Sequence, residues 1–316
     1  MSTARPSWLR RWRWPITLLV LLLSAEVFLR SYYGFCDTVL LREDPNYEYI
    51  AQADQDRWRF RHHIRYNSLS MRSEEPDSAA IVLLGCGDSV INGGALTEQD
   101  SLATTLVSDE LSHRYGRKVQ FLNISAGSWG PDNCAAYLQH TKLPAANAIV
   151  LVVSSHDAHD NMGFKQVVGV RPGFPKEQYG SALVELVDRY VLPRIWKPKA
   201  NADEELGIDK RDAAFNPGFA GLTSWAASKG IPMVMYLHAE SSEIRAGVYN
   251  KQGQEIIRFA EEQGIPLVRD LDRGVTVAML RDRIHPNESG QRKMADILIA
   301  DITERPASYG IAASPK

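Results

Sequence analysis

Cysteine is scarce in this chain. Three thiols in 316 residues, Cys36, Cys86 and Cys134, do not make a disulfide framework, and their odd number leaves at least one free or paired with another molecule. Cys86, set between glycines, reads as a small buried apolar filler; a Cys86 to Cys134 bridge is the alternative. An excess of one charge is missing too. With 36 basic and 38 acidic side chains the net charge is -2, which offers no general attraction to a polyanion, so nucleic acid is not an expected partner. The absence of any internal repeat or low-complexity block excludes solenoid and fibrous classes. What remains is an ordinary apolar content of 44%, enough for one principal globular domain with an appendage.

Only one long apolar run is present. From Trp14 to Leu29 the single charged residue is Glu26; Arg10, Arg11 and Arg13 precede the run, and Trp12, Trp14, Tyr32 and Tyr33 flank it, matching the positive-inside rule and the aromatic belts of a membrane span. Residues 1–13 are therefore expected to be a cytoplasmic basic segment and 14–33 a transmembrane anchor. Glu26 and Arg30, spaced i,i+4, can pair and let the helix continue to Tyr33. Because the run is somewhat shorter than the roughly 20 residues of a spanning helix, a cleaved signal peptide ending near Ala25 competes. A buried helix of a soluble domain is the remaining alternative; either of the first two readings places the rest of the chain outside the cytoplasm, in the periplasm if the source is bacterial.

Residues 34–78 read as a lead-in segment with short strands, the stretch "RWRFRHHIRYNSLSMRS" alternating well enough for a hairpin. Beyond it, over 79–305, apolar runs recur at Ala79 to Leu84, Val119 to Ile124, Ala148 to Val153, Ile231 to Leu237 and Ile265 to Val268. Helical patterns fall between and after them: Asp100 to Tyr115, Asp132 to Thr141, Ser181 to Ile195, Ala213 to Lys229, Asn250 to Gln263 and Asn287 to Ile302. This alternation predicts an α/β fold, a flavodoxin-like three-layer sandwich around a five-stranded parallel sheet. Gly163 to Gly180 and Lys197 to Asp212 read as loops forming a rim, and 306–316 as a C-terminal tail.

In such a sheet ligands sit beyond the carboxyl ends of the strands, where the strand order reverses. Three consecutive strands end in small or polar residues: "GDSVINGG" with Ser89, "SAGSWG" with Gly127, and "SSHDAHDN" with His156 and Asn161. Near the end of the chain "DRIHPNESG" sets Asp282 three residues before His285. A serine hydroxyl needs a base to take its proton, and a histidine serves when a carboxylate fixes its tautomer. Ser89 is thus the expected nucleophile, His285 its base and Asp282 the orienting acid. Asp88 reads as a hydrogen-bonding residue of the turn. The Ser89 and Gly127 amides and a side chain from the loop after the third strand are the expected oxyanion donors. The run His156, Asp157, His159 and Asp160 has suitable chemistry for a metal, but no distant ligand is legible in the sequence and no metal or other cofactor is expected. His238 and Glu240 could line the pocket or be structural.

These blocks resemble those of the SGNH (GDSL-type) hydrolases. "GDSVINGG" matches the serine block, "NISAGSWG" the glycine block and "DRIHPNESG" the block with the acid and the histidine, in the family's order over about residues 78–302. The third block departs: where the family has Gly-x-Asn-Asp this chain has Ser154-Ser155-His156-Asp157, so the resemblance implies His156 as the side chain that helps hold the oxyanion, with Asn161 a weaker substitute and substrate contact. The resemblance implies an extracytoplasmic serine esterase working through an acyl-serine without a metal, acting on an acylated small molecule or, more weakly implied, an acylated carbohydrate. Two alternatives stay open, an acyltransferase serving a polysaccharide with a membrane partner as donor, and a non-catalytic glycan-binding module.

Overall fold

A computed structural model describes residues 7–195 and 214–312, with side chains from Trp12 onward. The loop expected at Lys197–Asp212, the start of the helix expected at Ala213, the first residues of the basic segment and the last four of the tail lie outside the described residues. The chain opens with α1 (Ser7–Tyr33). Within it Trp12–Tyr33 is long and apolar enough to cross a membrane; its 22 residues reach roughly 33 Å at the usual helical rise. The C-terminal end of this helix is fastened to the domain. Glu26 accepts from the Ser181 hydroxyl and the Ala182 and Leu183 amides at 2.8–2.9 Å, and Arg30 pairs with Glu26 as its spacing predicts while also donating to the Gly180 carbonyl.

Two antiparallel hairpins follow, β1 (Leu41–Asp44) with β2 (Glu48–Ala51) and β3 (Gln55–Arg59) with β4 (His62–Tyr66). Arg59 enters the interior and pairs with Glu185 at 2.6 Å, both side chains buried, with the guanidinium against the Phe35 and Phe60 rings. A buried charge needs such a partner, and this one ties the lead-in to the helical turn α5 (Ala182–Leu186).

The main sheet consists of β5 (Ile81–Gly87), β6 (Val119–Ser125), β7 (Ala148–Ser154), β8 (Met233–His238) and β9 (Leu267–Arg269). All pairs are parallel, in the order β6-β5-β7-β8-β9, which is the flavodoxin-like order. Every residue of β5 through β8 is buried, as continuous apolar runs require when helices cover both faces. Val82, Leu84, Leu151 and Met235 pack on one side with α4 (Pro131–His140), α7 (Gly218–Lys229) and α9 (Lys251–Glu262). Leu83, Phe121, Val150 and Val234 pack on the other with α3 (Ala103–Tyr115) and α10 (Glu288–Glu304).

Strand β5 runs three residues past the expected Leu84, through both glycines. A Cβ on Gly85 would stand 2.4 Å from the Phe121 ring, and one on Gly87 would stand 2.6 Å from the Val152 carbonyl. Close approach of neighbouring strands, not turning, explains both. All three cysteines are free, Cys86 and Cys134 buried. The helix expected over Ser181–Ile195 is interrupted: α5 passes through a π-helical stretch, Val187–Val191, into α6 (Leu192–Ile195). A short helix not expected from the sequence, α8 (Ser241–Ala246), follows β8. The stretch Gly163–Gly180 carries neither helix nor strand and lies along the lead-in, its Gly163 and Phe164 amides donating to Glu48.

Candidate active site

The chain reverses immediately after β5. Asp88 caps α2 (Ser89–Asn92), accepting from the Val90 amide at 2.8 Å, and Gly93, in the left-handed region at φ 77°, ends that single turn. Ser89 is thereby carried at the first helical position, beyond the strand end. Side chains from distant elements hold the turn. The Asn123 amide donates to the Ile91 carbonyl and Gln291 to the Val90 carbonyl at 2.8 and 3.0 Å, while the buried guanidinium of Arg72 donates to the carbonyls of Asn92, Gly94 and Thr97 at 2.6–2.7 Å. Such donors satisfy carbonyls of a turn that is itself largely buried.

On the facing side the segment before α10 forms a tight loop. One oxygen of Asp282 accepts from the Ile284 and His285 amides, both at 2.9 Å, and the carboxylate meets His285 Nδ1 at 2.8 Å. A carboxylate only accepts, so Nδ1 carries the proton and the lone pair of the neutral ring is on Nε2. That Nε2 lies 2.9 Å from Ser89 Oγ. The two segments, 196 positions apart, meet as the reading of the strand ends requires. Burial raises the Asp282 carboxyl, but the two amides and His285 outweigh it, so Asp282 is held below its ordinary range.

Two residues that the sequence did not assign to this loop keep it in place. Arg281 donates from one guanidinium nitrogen to the Gly93 carbonyl at 3.0 Å, a direct strut between the Asp282–His285 loop and the Ser89 turn. His238, at the end of β8, donates from Nε2 to the Ile284 carbonyl at 2.8 Å and pairs through Nδ1 with buried Asp270 at 2.6 Å. Its role is structural support and not pocket lining. Burial pulls the His238 ring down, but Asp270 and the Ile284 carbonyl raise it above its ordinary value. Stability linked to this charge is therefore fully present below about pH 6.5, the unfolded value, and is lost as pH rises through the raised folded value. Denaturant midpoints followed from about pH 6 to about 9 are expected to fall on the alkaline side in the parent chain and to flatten in His238→Gln.

The remaining expected residues are placed as follows. Gly127 follows β6, its carbonyl accepting from the Tyr49 hydroxyl at 2.7 Å, and the space where its Cβ would stand is open. His156, in the turn after β7, lies against the residue preceding Ser89: Nε2 is 3.8 Å from Asp88 and 3.7 Å from Asp157, and Nδ1 is 3.5 Å from Glu240. Burial opposes charge on this ring, but Asp157, Glu240 and Asp88 together push it up to about 10. Asn161 is turned to the backbone before α7, its amide donating to the Ala214 carbonyl at 3.1 Å. His159 meets Glu255 at 2.8 Å, which takes it out of the run weighed above as metal ligands.

No family model matches the chain, and no curated protein does. Among solved structures, a lipase/acylhydrolase from Enterococcus faecalis is similar at 13% identity and TM-score 0.43, over 71% of this chain and 96% of that one. An acetyl xylan esterase from Geobacillus stearothermophilus is similar at 15% identity and TM-score 0.41, over 75% of this chain and 100% of that one. A two-domain esterase active on acetylated mannans is similar at 11% identity and TM-score 0.44, and here the match spans 75% of this chain but 52% of the other. These are likenesses of fold.

Proposed function

We propose that the protein is a membrane-anchored serine esterase of the SGNH (GDSL-type) kind, hydrolysing an acyl ester through an acyl-serine. The observation that carries this reading is the relay Asp282–His285–Ser89, with 2.8 Å between the acid and Nδ1 and 2.9 Å between Nε2 and the hydroxyl. His285 takes the Ser89 proton as Oγ attacks the ester carbonyl, then returns it to the leaving alcohol; water repeats the sequence in reverse and frees the acid. The Ser89 and Gly127 amides, with His156 beside them, receive the oxyanion. The substrate is an acylated small molecule or an acylated carbohydrate, the latter more weakly implied by the family resemblance. The arginines before the apolar run favour a domain outside the cytoplasm, and the bonds from Glu26 and Arg30 to the start of α5 favour a helix that is retained.

A fluorophosphonate probe is expected to label the full chain in detergent at Ser89, with no labelling of Ser89→Ala. Failure to label folded protein would overturn the reading. A screen of acyl esters with and without a sugar acceptor separates hydrolysis from transfer: free acid as sole product supports the esterase, and acylated acceptor would replace it with a transferase. Glycan binding without turnover of any ester would replace it with a binding module.

A further inference from the structure

Three side chains converge beside the nucleophile in a way that the relay does not require. One oxygen of Asp88 is engaged by the Val90 amide and one oxygen of Asp157 by the Ser154 amide at 2.6 Å. The second oxygen of Asp88 accepts from the Ser89 hydroxyl at a long 3.5 Å, and both second oxygens face His156 Nε2, at 3.8 and 3.7 Å. The gaps to Nε2 are too wide for hydrogen bonds. The Asp157 side chain is only 1% exposed, and its inward oxygen has no partner, a costly state for a buried acceptor. The three ligand atoms lie within 4.8 Å of one another. Two bonds of about 2.1 Å to one ion, meeting at a tetrahedral angle, hold their donors roughly 3.4 Å apart, so a small contraction would close the triangle on a cation.

The surroundings point the same way. On the far side of the ring Nδ1 faces Glu240 at 3.5 Å, the place of the outer carboxylate that fixes the tautomer of a metal-binding histidine and turns its other nitrogen to the ion. The ligand that the sequence did not reveal is Asp88, brought in from the end of β5. We propose that Asp88, His156 and Asp157 bind a divalent ion of the zinc class, with Glu240 as the outer partner of His156. One imidazole and two carboxylates suit such an ion, and three protein ligands leave a fourth position for water or a substrate oxygen. If the esterase reading holds, the ion stands one residue from Ser89 and replaces the Nε2 proton as the electrophile beside the oxyanion; the binding claim itself does not depend on that reading.

Cobalt(II) titrated into the metal-free full chain in detergent is the test, read from its visible absorption with zinc as competitor. One equivalent is expected to bind, displaced by zinc, in both the parent chain and Ser89→Ala. His156→Gln and the near-isosteric Asp157→Asn should weaken binding by at least about 100-fold, and Glu240→Gln by about 10- to 100-fold. Near-UV circular dichroism establishes that each variant is folded. No saturable band, or one left unchanged in both folded ligand variants, overturns the site. If Ser89 takes no probe while cobalt binds as described, the esterase reading fails and the metal site stands; the converse result leaves the esterase and removes the ion.

Discussion

Ser89→Ala is expected to lower kcat for any ester the protein hydrolyses by about 10⁶-fold, His285→Ala by about as much, and the double variant by no more than either alone. The reason is the single 2.9 Å contact between Oγ and Nε2. Without the imidazole the hydroxyl stays protonated and is a weak nucleophile; without the hydroxyl the base has nothing of the enzyme's to activate. Residues acting as one unit lose their function together, so the effects cannot multiply. Steady-state rates for the four proteins on one ester, with a burst experiment to detect the acyl-enzyme, provide the comparison. A double variant markedly slower than both singles would mean that the two residues act separately and would dissolve the relay.

Strand ends were the legible part of this site. The apolar runs behind Ser89, Gly127 and His156 told which residues leave the sheet at one edge, and the strand order then makes that edge a cleft. Asp282 and His285 were legible because three residues in a turn suffice to join them. Gly85 and Gly87 lie beyond the strand end expected at Leu84 because a glycine needed for close packing looks the same in sequence as one that ends a strand. The start of α7 at Gly218, against an expected Ala213, and the short α8 have no periodic pattern long enough to define them. Asp270 under His238, Arg281 on Gly93 and the inward oxygen of Asp88 depend on contacts between elements far apart in the chain, which periodicity does not encode. Chemistry carried by residue type at a strand end could be read ahead of the structure; the second layer that holds it could not.

Asp282→Asn should cost about 10⁴-fold in kcat while leaving Ser89 and His285 in contact. Two effects of the carboxylate can be separated here. Asp282 is 50% exposed and His285 30%, so solvent screens much of the charge attraction that would steady an imidazolium. What exposure does not weaken is the choice of tautomer: a carboxylate can only accept from Nδ1, whereas an asparagine amide can turn an N–H toward the ring and move the ring proton to Nε2. A ring protonated at Nε2 donates to Ser89 and cannot take its proton. The Ile284 and His285 amides, which now share one Asp282 oxygen, would keep the asparagine carbonyl facing the backbone and leave its NH2 toward Nδ1, so the wrong tautomer is the one favoured. Asp282→Ala, which leaves Nδ1 to water, is therefore expected to be no slower than Asp282→Asn despite removing more atoms. Rates for the two variants compared at one pH on the same ester decide it, and an asparagine variant much faster than the alanine one would show that shape, not tautomer, is what Asp282 supplies.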